Sequence, residues 1–230
     1  MVQPLLVMTR PEEAARAFVA RLEALRGPVD WLHAPAFALA ATGEQVPGGA
    51  AIFTSANGVA FAPEGGGQTA WCVGEATAAA ATARGWRSVS ADGDAEALVA
   101  LILSRRPAGP LWHLAGADRR GDVAPRLAAA GLKAGTVTLY RQVPLAPSDA
   151  LRRAFADTRP LVAPVFSPRS VAGLWAGTRR APLAIAAISP AVAEAARALA
   201  PDRILTAAHP DADHMRTATE TLLRAADPVA

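Results

Sequence analysis

Short apolar runs ending in small polar residues alternate along the chain with stretches whose apolar residues recur every three to four positions. A chain of this kind buries both sorts of segment only by stacking helices on a sheet. Residues 5–8 read as a first strand. Thr9-Arg10-Pro11-Glu12 then offers a capping box with proline at the first helical position, and Ala14, Phe18, Leu22 and Leu25 continue at helical spacing up to Gly27. Further strands are expected at 29–33, 50–54, 70–74, around Val89 and at 110–115. Helices are expected over 75–84 with Gly85 as the stop, over 95–105 with Asp92 or Asp94 as the cap, and between Gly116 and Gly131. Repeated switching between the two periods implies parallel sheets covered by helices on both faces.

Two further segments are extended and marked by proline: 33–39, and 136–143 with its strict alternation followed by Pro144 and Pro147. Paired as a two-stranded ribbon, they would set off the residues between them as a domain of their own. Internal similarity supports that division. Ile52-Phe53-Thr54-Ser55-Ala56-Asn57-Gly58-Val59 is echoed by Val165-Phe166-Ser167-Pro168-Arg169-Ser170-Val171, and Val73-Gly74-Glu75-Ala76-Thr77-Ala78 by Ile188-Ser189-Pro190-Ala191-Val192-Ala193, about 115 residues apart in the same order. The expected fold is therefore α/β, with two similar lobes, each a parallel sheet flanked by helices. One lobe takes 1–34 with 147–230 and the other 38–142, with 35–37 and 143–146 as linker. Two lobes would leave a cleft.

Composition removes several classes of function. With 230 residues, 52% of them apolar, the chain fills one large domain or two smaller ones. No apolar stretch approaches the roughly 20 residues a membrane helix needs. The first residues lack a charged leader, and the lone Cys72 allows no internal disulfide, so a cytoplasmic location is expected. The net charge is +3, and of the 23 basic residues only Lys133 is a lysine. Scattered arginines are not the stripe a nucleic-acid binder carries. They suit a small anionic ligand, because a guanidinium grips a carboxylate in two-pronged geometry; a G+C-rich genome would produce the same bias.

The polar residues gather where strands hand over to helices: Thr9 and Arg10, Thr54, Ser55 and Asn57, Gly74, Gly116, Ser167 and Ser189. Ligands of open parallel sheets bind beyond these carboxyl ends, where amides point outward. Ordinary capping also explains each residue singly; their accumulation in both halves favours an anion site. Gly65-Gly66-Gly67 precedes a strand and is not a phosphate cradle. His209 and His214, five apart, are out of phase on a helix, and Asp211 and Asp213 serve better as caps than as metal ligands, so no metal is expected. Cys72 inside a strand reads as a buried thiol, and Lys133 lies in a loop, which leaves covalent chemistry without a candidate.

Leu6-Val7-Met8-Thr9-Arg10-Pro11, the 52–59 stretch, Val73-Gly74-Glu75-Ala76-Thr77, Gly116 with Arg120, Val137-Thr138-Leu139-Tyr140 and Phe166-Ser167-Pro168-Arg169-Ser170 form a collinear set. That set resembles the uroporphyrinogen-III synthases over almost the whole chain. The chain departs from the family at Ser189, where a glycine is expected, and near Val192, where a threonine is. The resemblance implies an enzyme that takes hydroxymethylbilane, a linear tetrapyrrole with eight carboxylates, removes water, inverts ring D and closes the macrocycle as uroporphyrinogen III. It implies no cofactor and allows a transient contact with the enzyme of the preceding step; no exposed heptad or apolar helix face argues for more than a monomer. The substrate-binding residues it points to are Thr9, Arg10, Thr54, Ser55, Asn57, Gly58, Gly74, Thr77, Gly116, Arg120, Ser167, Pro168, Ser189 and Pro190. Tyr140, the only tyrosine, is either a proton donor to the departing hydroxyl or a strand residue packed on its sheet. A non-catalytic two-lobed protein that binds a small polyanion is the rival reading.

Overall fold

The computed structural model describes residues 3–119, 121–174 and 177–226. From the N-terminus, β1 (Leu5–Met8) leads through α1 (Glu12–Arg26) to β2 (Trp31–His33) and β3 (Phe37–Ala41). Then come β4 (Ala50–Phe53), α2 (Ala56–Phe61), β5 (Thr69–Cys72), α3 (Glu75–Ala83), β6 (Arg87–Ser90) and α4 (Ala95–Arg105). Next are β7 (Leu111–Gly116), α5 (Val123–Ala129) and the long β8 (Ala134–Pro144). The remainder is α6 (Asp149–Ala156), β9 (Leu161–Val165), α7 (Pro168–Val171), β10 (Leu183–Ala187), α8 (Pro190–Ala196), β11 (Arg203–Thr206) and α9 (Ala212–Ala226).

The chain divides into two compact units, Met1–Ala38 with Val143–Ala230 and Leu39–Gln142. The first holds a five-stranded sheet in the order β11-β10-β9-β1-β2, parallel throughout. The second sheet has the order β3-β8-β7-β4-β5-β6, and its pairs from β8 to β6 are parallel. Burial explains why. Residues 6–8, 51–53 and 161–165 are apolar and buried without interruption, as strands covered on both faces must be. Helices supply the cover. In the second unit Phe53, Val59, Cys72 and Leu114 pack on one face of the sheet, and Ile52, Trp71, Leu98, Ile102 and Leu127 on the other.

Both sheets reverse their winding at one place. In the first unit the order turns between β1 and β9, and in the second between β4 and β7. The registered pairs of β4 with β7 stop at Ile52↔His113, those of β1 with β9 at Leu6↔Val162. Beyond each, the connections leave toward opposite faces and a crevice opens, the usual ligand position in doubly wound sheets.

Some local expectations need correction. Thr9 does not cap α1: Pro11 occupies the N-cap position, no side chain caps the helix, and the Thr9 hydroxyl is buried without a hydrogen-bond partner. The proline, with its fixed φ, starts the helix two residues after Thr9. The strand expected at 29–33 is confined to Trp31–His33. The ribbon is not free-standing. β3 and β8 run antiparallel, Leu145 N donating to Ala36 O and Thr42 N to Leu139 O, both at 3.0 Å. But β8 is also laddered to β7 from Ala134 to Tyr140, so the pair is the margin of the second sheet. The glycine run folds onto the turn between α3 and β6: a side chain at Gly65 would sit 2.5 Å from the Trp86 backbone, so only glycine fits.

Candidate functional site

At the reversal between β4 and β7 the second unit has a pocket of about 470 Å³, within the usual range for small-ligand sites. Its floor comes from three strands. Thr54, Ser55 and Asn57 follow β4; Gly116, Ala117, Asp118 and Arg119 end β7 and begin its loop; Tyr140, Arg141 and Gln142 lie along β8. Asp94 and Ala95 at the start of α4 close another side.

Tyr140 is closely packed in this wall. Its ring stacks on Phe61, centroids 4.9 Å apart with the planes 26° apart. On another side it passes over Gly116, where a Cβ would lie 2.6 Å from Tyr140 Cε2 and 2.7 Å from Cζ. The β7–β8 register slips at this point: Ala115 pairs with Thr138 and Gly116 with Tyr140, a bulge that re-aims the strand. The ring is thus held in a slot made by an aromatic and a missing side chain. Its hydroxyl lies 3.5 Å from Ser55 Oγ, at the edge of hydrogen-bond range, with the pocket beside it.

Beneath Thr54 lies a group that sequence reasoning missed. His113, on β7 and only 1% exposed, has its Nε2 3.0 Å from Thr54 Oγ1. Burial, with the Arg119 guanidinium adding to it, pushes the imidazole down to about 4, so it is neutral at physiological pH. This has a consequence for stability. The unfolded imidazole titrates near 6.5 and the folded one near 4, so as pH falls the unfolded state takes up the proton first. The native state keeps its full stability above pH 6.5 and loses roughly 3 kcal/mol from this one group by pH 4. Denaturant titrations between pH 7.5 and 4 should show a shallower decline for His113→Gln than for the wild type; parallel declines would mean that the imidazole is not held neutral.

The remaining expected residues divide sharply. Thr54, Ser55, Asn57, Gly116 and Tyr140 come together at the pocket, and Gly58, Gly74 and Thr77 do not line it. Gly58 is a packing position, since a Cβ there would meet Leu114 O at 2.6 Å. Gly74 is the N-cap of α3, and Thr77 is buried in that helix. Arg120 lies outside the described residues; its neighbour Arg119 lines the pocket, as does Arg141. Asp94, Asp118, Arg119, Arg141 and Gln142 were not expected there. A signal existed for two of them, because Arg141 and Gln142 directly follow Tyr140 on an alternating strand.

In the first unit, Thr9 and Arg10 follow β1, and Ser167 with Pro168 follows β9. The Arg10 guanidinium sits 4.4 Å above the Phe166 ring, and partial burial lowers its pKa. Ser167 caps α7, accepting from Ser170 N, and Ser189 caps α8, accepting from Val192 N at 3.4 Å, each followed by a proline at the first helical position. The Val192 side chain is buried. The helices behind these serines are short: α2 has six residues, α7 four and α8 seven, and the third amide of each is taken by its own serine cap.

The other candidates for chemistry behave as ordinary structure. Cys72 is buried and its thiol is pushed up to about 11, which keeps it protonated and unreactive. Asp211, not Asp213, caps α9, accepting from the amides of Asp213 and His214. His209 precedes the helix, and its ring packs edge-on against His214 at 4.6 Å, so helical phase does not separate the two as expected. Among the described residues no group of three or more His, Cys, Asp or Glu side chains is placed to hold a metal ion. Nor is any described helix long and apolar enough to cross a membrane.

The family model described as uroporphyrinogen-III synthase HemD matches residues 13–216. No curated protein matches the chain. The crystal structure of uroporphyrinogen-III synthetase from Helicobacter pylori shares the fold, with a TM-score of 0.56 at 12% identity over 95% of this chain and 99% of that one. A mutant uroporphyrinogen III synthase from Thermus thermophilus aligns over 96% of this chain and 98% of that one, with 17% identity and a TM-score of 0.41. The family match runs from the first helix to the last and takes in both units: the chain belongs to the uroporphyrinogen-III synthase family.

Proposed function

We propose that this protein closes hydroxymethylbilane to uroporphyrinogen III, with loss of water and inversion of ring D, and that the pocket beside Tyr140 handles the reacting end. The family match over residues 13–216 is the observation that carries this reading, and it does not favour a binding protein without catalysis. The chemistry of the pocket supports it. A substrate with many carboxylates meets Arg119 and Arg141, neither of which makes an ion pair among the described residues, and the hydroxyl and amide groups of Thr54, Ser55 and Asn57.

The substrate's own pyrrole electrons expel the hydroxyl, so the protein needs to supply little beyond a proton and a conformation. Tyr140, fixed between Phe61 and Gly116, donates the hydrogen bond under which oxygen leaves as water. Holding the far ring against the nascent cation draws on orientation, worth up to ~7–11 kcal/mol in well-placed intramolecular reactions. That term decides the isomer, because the bilane left alone closes without inversion to type I.

Freshly prepared hydroxymethylbilane, incubated with the protein and resolved into isomers, tests the reading. Type III in large excess is expected, whereas type I at the level of a protein-free control would exclude it. Tyr140→Phe should lower kcat about tenfold and still yield type III, because the variant loses a proton donor and keeps the shape. Unchanged kcat would remove Tyr140 from the chemistry and leave it a packed strand residue.

A further inference from the structure

Asp94 presents a contradiction: a carboxylate lines a pocket that, on the reading above, admits a polyanion. Its structural duty does not require the charge. Asp94 caps α4, Oδ1 accepting from Glu96 N at 2.9 Å and from Ala97 N at 3.0 Å. Serine does the same, uncharged, for α2, α6, α7 and α8, and asparagine caps as well as aspartate. The two amide bonds fix the carboxylate against the pocket wall, while no described residue donates a hydrogen bond to Oδ2. The other pocket carboxylate, Asp118, already has a partner.

The substrate has donors that such an acceptor would fit. Each pyrrole carries an N–H, and the reaction turns one ring cationic. As the C–O bond breaks, its electron pair leaves on oxygen, which takes a proton and departs as water. The ring's π electrons fill the vacancy, and positive charge spreads to the ring nitrogen. A carbon–carbon bond from the far ring then neutralises that carbon, and the proton lost on re-aromatisation balances the one delivered. The N–H of the charged ring is a far stronger donor than that of the neutral one. An acceptor held in place beforehand therefore gains most at the transition state.

We propose that Asp94 Oδ2 accepts hydrogen bonds from substrate pyrrole N–H groups and stabilises the cation formed when the hydroxyl leaves. This rests on the substrate assignment above. Arginines in the same pocket take the acid arms, and Asp94 reads the ring nitrogens between them.

The test uses Asp94→Asn and Asp94→Ser, both competent helix caps, with kcat, KM, isomer ratio and thermal midpoint measured together. A loss of kcat of about tenfold in both, with KM unchanged or lower and the midpoint retained, is expected. Either variant keeping kcat within twofold of wild type overturns the proposal, leaving Asp94 a cap only, as does a loss of kcat that merely tracks a lowered midpoint. Failure of the substrate assignment is read separately, from wild type that makes no type III product.

Discussion

Gly116→Ala is expected to lower kcat/KM by on the order of 100-fold, more than removal of the Tyr140 hydroxyl itself. The new methyl would lie 2.6 Å and 2.7 Å from two carbons of the Tyr140 ring. Phe61, stacked on the same ring at 4.9 Å, limits where it can go. It must swing out of its slot into the pocket, and a displacement of about 1 Å at a reacting group is enough to cost two orders of magnitude. Overpacking should also remove about 1–3 kcal/mol of stability, which a folded domain survives. Steady-state kinetics beside a melting curve check this. Full activity in a folded Gly116→Ala protein would show that the position of Tyr140 is immaterial.

The paired substitution Arg119→Ala with Arg141→Ala is expected to raise KM about 30-fold with kcat largely retained. A charge-assisted hydrogen bond contributes about 1.5–3 kcal/mol when desolvated. Both arginines are exposed, so solvent screening reduces each to about a fivefold effect. The deficit should shrink as ionic strength rises, because the wild type loses the same attraction to screening. A KM unchanged at low salt would place the grip on the acid arms elsewhere.

Much of the layered fold follows from local patterns. Strands such as β4 are short, apolar and closed by small polar residues, and α4 spans Ala95–Arg105, as its spacing and the Asp94 cap suggest. Parallel sheets covered on both faces follow from that alternation. What local pattern cannot supply is any pairing set by tertiary geometry. His113 looks like one more residue of a strand, and its partner Thr54 is 59 positions away, joined to it only where β4 and β7 lie side by side. That Arg119 meets the pocket depends on the path of a loop, which spacing does not encode. Gly58 and Gly74 have structural duties that local pattern does not reveal. Gly58 packs against Leu114, and Gly74 stands at the start of a helix. The capping box at Thr9 fails because Pro11 starts the helix without it.

Crystals of the protein with uroporphyrinogen III bound would test the central claim most directly. The account predicts acid arms of the product on Arg119, Arg141 and the Thr54–Asn57 turn, with a pyrrole ring beside the Tyr140 hydroxyl. Product held elsewhere, with the pocket at the β4–β7 reversal unoccupied, would contradict it.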